Sequence, residues 1–162
     1  MSASDIYDWE VIVPAAVKPV LVDAGLKAFI ISDDPLYTKL RPRVEIVYRH
    51  IGEEKPRRWA TLPDGSRRGS AFFGELKLHA ITDADIPGKL AHSTYRVTAR
   101  NFLAAGPFQD LINGSDLLPF HKIQWMEPGN EDTGIRQQDG FQQTTFPFSI
   151  KISIQQDAWL QL

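Results

Sequence analysis

A strict alternation of apolar and polar residues near the end of the chain constrains the fold more than any other feature. Residues 146–156 read F-P-F-S-I-K-I-S-I-Q-Q, with an apolar side chain at every second position. These positions are Phe148, Ile150, Ile152 and Ile154. Because successive side chains of a β-strand point to opposite faces, the run predicts a strand with one buried face and one face that meets water or a partner.

Three further strands are predicted along the chain. Residues 43–50 and 70–82 alternate in the same way, and residues 119–126 form a shorter apolar stretch. Between the first two of these strands, prolines and glycines recur at turn-forming positions, so this part is expected to form an extended hairpin arm. Residues 127–143 are polar and rich in Gly and Gln, which indicates a long loop or a protruding hairpin.

Two helices are predicted, one before the strands and one between them. Residues 17–30 place apolar side chains at helical spacing, and a Ser-Asp-Asp-Pro run ends this helix. Residues 89–105 lie between two breaks that contain Pro and Gly, and form the second helix. A candidate basic stripe on the second helix comprises His92, Arg96 and Arg100.

The order of these elements predicts one α+β domain spanning residues 1–162. A largely antiparallel central sheet is expected to be flanked by the two main helices, with the hairpin arm extending from it. Residues 1–14 are a candidate extended N-terminal segment. A chain of this length buries about 70% of its unfolded surface, which is enough for a hydrophobic core without disulfides.

Composition excludes several classes of protein. The hydrophobic share of 43% and the net charge of −2 are unlike those of a disordered chain, and a protein that coats DNA would normally be strongly basic. The absence of cysteine removes disulfides, thiolate nucleophiles and cysteine zinc sites. No membrane segment is predicted, because prolines and charges interrupt the apolar residues 11–31. The acidic N-terminal residues are unlike a secretory signal.

Catalytic signatures are also absent from the sequence. It contains no Gly-x-x-x-x-Gly-Lys loop, no His-Glu-x-x-His helix, no Gly-x-Ser-x-Gly elbow and no Gly-x-Gly-x-x-Gly turn. Its four histidines do not have metal-ligand spacing. We therefore expect a protein that is not an enzyme and holds no metal or cofactor. The alternative is a small α+β enzyme or ligand-binding domain with a composite pocket near His79 and His121.

Charge is distributed unevenly along the chain. Residues 39–68 carry nine cations and four acids, whereas residues 110–162 carry three cations and seven acids. Three interpretations are open: a solvated arm, a bipolar surface that meets copies of itself, or a nucleic-acid contact, which the acidic remainder would weaken. The candidate interface residues are Arg57, Arg58, Arg67, Arg68, Trp59, Lys151 and Trp159.

Several short motifs follow one another in an order that is similar to a known family. The chain carries R-P-R-V-E-I at residues 41–46, F-F-G-E-L-K-L-H-A-I-T at 72–82 and L-P-x-x-x-I-x-W at 118–125, with a helix at 92–103. Residues 144–159 then read T-T-F-x-F-x-I-x-I-x-I and close on Ala-Trp. In this order the chain resembles the tail-terminator, or tail-completion, proteins of long-tailed bacteriophages.

The resemblance implies a structural virion protein with an α+β fold and no catalytic activity. Such proteins assemble as a homo-hexameric ring that caps the tail tube, ends its elongation and provides the surface that joins the tail to the head or neck. The implied partners are further copies of the chain, the tail tube protein and a head-completion or neck protein, with DNA only as cargo passing through the lumen.

The implied location is the head-proximal end of the virion tail, after synthesis in the host bacterial cytoplasm. No membrane partner is implied. The alternative within the same virion is a head-closure or neck connector protein.

Overall fold

The structure is a computed structural model that describes residues 8–30, 42–53, 59–61, 67–69, 71–83, 88–104, 107–118, 121–136 and 141–154. Along these residues, two runs of strands are separated and preceded by helices, which is the arrangement of an α+β protein. The elements are α1 (Trp9–Asp23), β1 (Ala28–Ile30), β2 (Arg43–Glu53), β3 (Trp59–Thr61), β4 (Arg67–Gly69), β5 (Ala71–Asp83), α2 (Gly88–Ala104), α3 (Pro107–Asn113), β6 (His121–Pro128), β7 (Asp132–Arg136) and β8 (Phe141–Ile154).

Six strands form one sheet that is largely antiparallel. Its order is β1-β2-β5-β8-β6, and β7 also pairs with β8. β1 and β2 run parallel, and the other described pairs of this sheet are antiparallel. A separate antiparallel pair, β3 and β4, forms in the arm between β2 and β5. The predicted α+β fold, its antiparallel sheet and its hairpin arm are thereby confirmed.

The first helix begins earlier than the apolar spacing predicts. Asp8 caps it by accepting a hydrogen bond from the backbone N–H of Glu10 at 3.1 Å. The expected start at residue 17 is therefore wrong. The extended segment expected over residues 1–14 is also wrong for residues 9–14, which are helical, while residues 1–7 lie outside the described residues.

The same helix ends earlier than predicted, at a glycine. Gly25 has a φ of 87°, a backbone conformation that is unfavourable for residues with a Cβ atom. Its N–H donates to the carbonyl of Val22 at 3.0 Å, and the N–H of Leu26 donates to the carbonyl of Leu21 at 3.0 Å. These two bonds form a Schellman cap, which stops the helix. Residues 28–30, expected to be helical, instead form strand β1.

The helices cover one face of the sheet, which we call the inner face. Trp9 of α1 lies 5.1 Å from Phe72 of β5, and Phe108 of α3 lies 6.0 Å from Phe148 of β8, measured between ring centroids. The apolar positions of the predicted strands point to this face and form the core. They include Val44, Ile46, Tyr48, Leu76, Leu78, Ile150 and Ile152. We call the opposite side of the sheet the outer face.

A bulge interrupts the edge of the sheet that β6 and β7 form together. Both strands pair with β8, β6 along its second half and β7 along its first. Residues 129–131, between them, face a shorter stretch of β8, which bends the edge locally. The N–H of Gly129 donates to the carbonyl of Pro147 at 2.8 Å and anchors the bulge. Of the two expectations for residues 127–143, a long loop or a protruding hairpin, the described residues show a hairpin, whose strands β7 and β8 belong to the main sheet.

Candidate functional site

The predicted interface residues fall in different parts of the molecule. Those outside the described residues are Arg57, Arg58 and Trp159. Those on the paired strands of the arm are Trp59, Arg67 and Arg68. The remaining one, Lys151, lies on β8 and points to the outer face of the sheet. An interface role for all of them stays a prediction.

The basic stripe predicted on α2 is wrong, because its first member is part of the core. His92 is 2% exposed. Its Nδ1 is 2.7 Å from Oγ1 of Thr82, and its Nε2 is 2.8 Å from Oγ1 of Thr144. Arg96 is half-buried, and Arg100 forms an ion pair with the β6–β7 bulge. Thr82 and Thr144 occupy inner-face positions of their strands, and these polar residues are the signal in the sequence that a buried polar partner faces them. The helical spacing of residues 92, 96 and 100 does not reveal this partner.

Burial of His92 makes stability depend on pH. Burial, and then the nearby charge of Arg96, lower the pKa of His92 below its usual 6.5. Below about pH 6.5 the unfolded chain therefore binds more protons, so the stability that this residue confers is present above that pH and is lost as the pH falls.

We expect the free energy of unfolding to fall more steeply with decreasing pH for the wild-type protein than for His92→Gln. Urea titrations between about pH 7 and pH 5 measure this difference. The difference in slope can reach about 1.4 kcal/mol per pH unit. Parallel pH profiles would contradict this expectation.

The composite histidine pocket considered as an alternative is also wrong. The Nδ1 of His79 is 2.8 Å from Oγ1 of Thr145, on the outer face. His121 is fully buried on the inner face, where its ring packs against Trp9 with centroids 5.2 Å apart. Along β8 the two histidines are level with Thr145 and Ile154, roughly 30 Å apart at the usual rise of a strand. No group of acidic or histidine side chains among the described residues could hold a metal ion.

A row of aromatic and cationic side chains crosses the outer face. Lys151 of β8 pairs with Phe73 of β5 on one side and with Trp125 of β6 on the other. The Nζ of Lys151 is 5.6 Å from the centre of the Phe73 ring, a cation–π distance. All three side chains are only partly buried. The row therefore presents aromatic surface, which is enriched at protein–protein interfaces.

Charges of both signs lie beside this row. The Oε1 of Glu75 is 3.1 Å from Nζ of Lys77, and its Oε2 is 3.8 Å from Nη2 of Arg49. The side chains of Arg49 and Lys77 are 72% and 46% exposed. Such exposed pairs add only about 0–1 kcal/mol to stability, so these charges are available to a partner at little cost to the fold. We call the row and these charges together the accessible outer face.

The other end of the outer face is buried. Arg43 and Glu45 stand two positions apart on β2, and both Nη2 and Nε of Arg43 donate to Oε1 of Glu45, at 2.9 and 3.1 Å. Their side chains are 1% and 2% exposed. Ile81, which pairs with Arg43 from β5, is also fully buried. The outer face thus combines a buried end with an accessible part, a division that strand alternation does not predict.

Side chains of α3 block the edge of β6. The amide of Asn113 donates to the carbonyl of Ile123 at 2.9 Å and accepts from its N–H at 2.7 Å. Gln109 donates to the carbonyls of Ile123 and Gln124 at 3.1 and 3.2 Å. These bonds satisfy backbone groups that another strand would otherwise reach.

The edge of β7 is different. β7 pairs with β8, and no other strand of the described part of the chain pairs with it. A strand with an unpaired edge is a template for an added strand. Among the described residues, the sheet therefore combines a blocked edge at β6 with an edge at β7 that no strand pairs with, which we call the open edge.

Comparison of the chain with protein-family models and with curated proteins finds no match. Within the described ranges, no helix has both the length and the apolar character needed to cross a membrane. In the part of the chain that the structure describes, the candidate site therefore consists of the accessible outer face and the open edge of β7.

Proposed function

We propose that the chain is a structural protein of the tail-terminator type, which forms a homo-hexameric ring at the head-proximal end of a phage tail, caps the tube and joins it to the head or neck. The accessible outer face is the observation that supports this most. Phe73 and Trp125 would be unusual on a sheet face that only met water, because both leave apolar area exposed. A second protein surface on this face would remove that area from water.

The charge of this face favours another copy of the chain over nucleic acid. The cations Arg49, Lys77 and Lys151 stand among the acids Glu75 and Glu127. A surface of mixed sign matches other mixed surfaces, whereas a nucleic-acid site would be dominated by cations. Such a surface also suits a ring through which DNA passes without being held.

The open edge of β7 provides a second, different surface. A ring is built from head-to-tail contacts, in which one surface of a subunit meets another surface of the next. Backbone groups of β7 can bind an extended segment of the neighbour, while the accessible outer face contributes side-chain contacts. The α+β fold with a central sheet is also the fold that the family resemblance implies.

Native mass measurement of the purified protein tests the proposal. We expect hexamers for the wild-type protein and monomers for Trp125→Ala/Lys151→Glu, because that variant removes the row across the outer face. Lys27→Glu, at an exposed cation before β1, is the matched control and should stay hexameric. Added to growing tail tubes, the wild-type protein should stop elongation and the double variant should not. A protein that is monomeric at every concentration and does not cap tubes would contradict the proposal.

Cross-linking tests the head-to-tail contact directly, because the chain has no cysteine of its own. Ser149→Cys lies on the outer face and Gly134→Cys on β7, roughly 20 Å apart along the sheet of one subunit. That separation exceeds the reach of a disulfide, so oxidation of the double variant can join only different copies. We expect a ladder that ends at the hexamer, and at most dimers from each single variant. Dimers alone from the double variant would exclude this contact.

A further inference from the structure

A cavity of about 420 Å³ lies between α2, α3 and the bulged edge of the sheet, apart from the accessible outer face. Its volume falls within the range of small-molecule sites, about 300–1,000 Å³. Most of its wall is apolar. The apolar lining residues include Leu103, Ala104, Phe108, Met126, Phe146 and Phe148.

One ion pair lies in the wall of this cavity. Arg100 of α2 donates through Nη2 to Oε2 of Glu131 at 2.6 Å, and its Nε donates to the other carboxylate oxygen. The hydrogen bond from Arg100 lowers the pKa of Glu131, which is therefore ionised at neutral pH. Of the described residues that line the cavity, only these two are charged. The cavity thus combines an apolar body with a single carboxylate-binding fork.

We propose that this cavity binds a small monocarboxylate with an apolar body, such as an aromatic acid, and that Arg100 is its anion anchor. The apolar body lies against Phe108, Phe146 and Phe148. The carboxylate takes the two N–H groups of Arg100 that Glu131 occupies in the free protein. In the free protein, the carboxylate of Glu131 therefore occupies the position that the ligand carboxylate takes on binding.

The position of Glu131 makes this exchange inexpensive. The side chains of Arg100 and Glu131 are 42% and 28% exposed, so their pairing adds little to stability. The backbone anchor of the bulge is Gly129, which keeps its bond to Pro147 when Glu131 turns to solvent. Burial of the apolar body of the ligand then favours the bound state.

Titration with 1-naphthoate, and with the neutral 1-naphthalenemethanol as its counterpart, tests the proposal. Binding is followed by the methyl NMR signals of Leu103 and Met126, which line the cavity. We expect saturable shifts with a dissociation constant on the order of 1 mM for the acid. The alcohol should bind roughly tenfold more weakly, because it lacks the charge that Arg100 recognises.

Variants separate the anchor from the apolar body. Glu131→Gln should tighten binding of the acid by up to about fivefold, because it releases Arg100 from a pairing of about 0–1 kcal/mol. Arg100→Gln should weaken binding of the acid without changing binding of the alcohol. Ala104→Phe should fill the cavity and abolish both. Glu75→Gln, in the exposed pair with Arg49 on the outer face, is the matched control and should change neither.

Two results would overturn the proposal. One is the absence of saturable shifts in both the wild-type protein and Glu131→Gln. The other is equal binding of acid and alcohol that Arg100→Gln does not change, which would show that the cavity recognises apolar area and not a carboxylate. Oligomeric state is measured in the same samples, so failure here is distinct from failure of the ring.

Discussion

Replacing Glu45 with leucine is expected to lower the free energy of unfolding by about 3–5 kcal/mol. Glu45 and Arg43 form an ion pair with side chains only 2% and 1% exposed. Loss of the carboxylate removes the acceptor of two guanidinium hydrogen bonds of Arg43. Because the side chain of Arg43 is buried, water cannot accept these hydrogen bonds instead. Urea unfolding monitored by tryptophan fluorescence gives the change directly.

Two further variants isolate the buried charge as the cause. Glu75→Gln removes a carboxylate from the exposed Arg49–Glu75 pair on the same face, and should cost less than about 1 kcal/mol. Arg43→Met/Glu45→Leu removes both buried charges, and should recover at least half of the loss, because well-packed apolar residues often replace a buried pair at no cost. A double variant as unstable as the single one would contradict this account.

Strand positions were predictable from the sequence because alternation reports burial directly. β2, β5 and β8 carry apolar side chains at most alternate positions, and β2 and β5 lie close to where the pattern places them. β8 begins earlier than predicted, at Phe141, because Gln142 and Thr144 take inner-face positions without an apolar side chain. The first helix was not predictable in the same way. Its boundaries depend on capping by Asp8 and on the positive φ of Gly25, whereas the apolar spacing continues past Gly25 into β1.

The candidate site was less predictable than the fold, because it depends on which strands become neighbours. Lys151 was a candidate from the sequence, but its aromatic neighbours Phe73 and Trp125 come from β5 and β6. The sequence placed His92 in a basic stripe, because its two threonine partners lie far away in the sequence, on strands β5 and β8. Alternation assigns a residue to a face, and only the tertiary structure decides whether that part of the face is covered.

Replacing Gly74 with alanine is expected to lower the free energy of unfolding by about 3 kcal/mol, at the upper end of the usual range for overpacking. Gly74 lies on the inner face of β5, where the ring of Tyr48 crosses it. A Cβ at this position would be 1.9 Å from Oη and 2.2 Å from Cζ of Tyr48. Because Tyr48 is itself buried, at 7% exposure, its ring can move only by disturbing the core.

The backbone conformation of Gly74 does not explain the expected loss of stability. The expected cause is the packing of the added methyl group, which matched variants can test. Gly25 is the only described residue with positive φ, so alanine suits the backbone of Gly74. Gly52→Ala, on the paired strand β2, has no atom within 4 Å of the added Cβ and should change stability by less than about 0.5 kcal/mol. In a Tyr48→Leu background the cost of Gly74→Ala should largely vanish, because the ring that it strikes is gone. Additive effects of the two substitutions would show instead that the methyl group conflicts with something other than Tyr48.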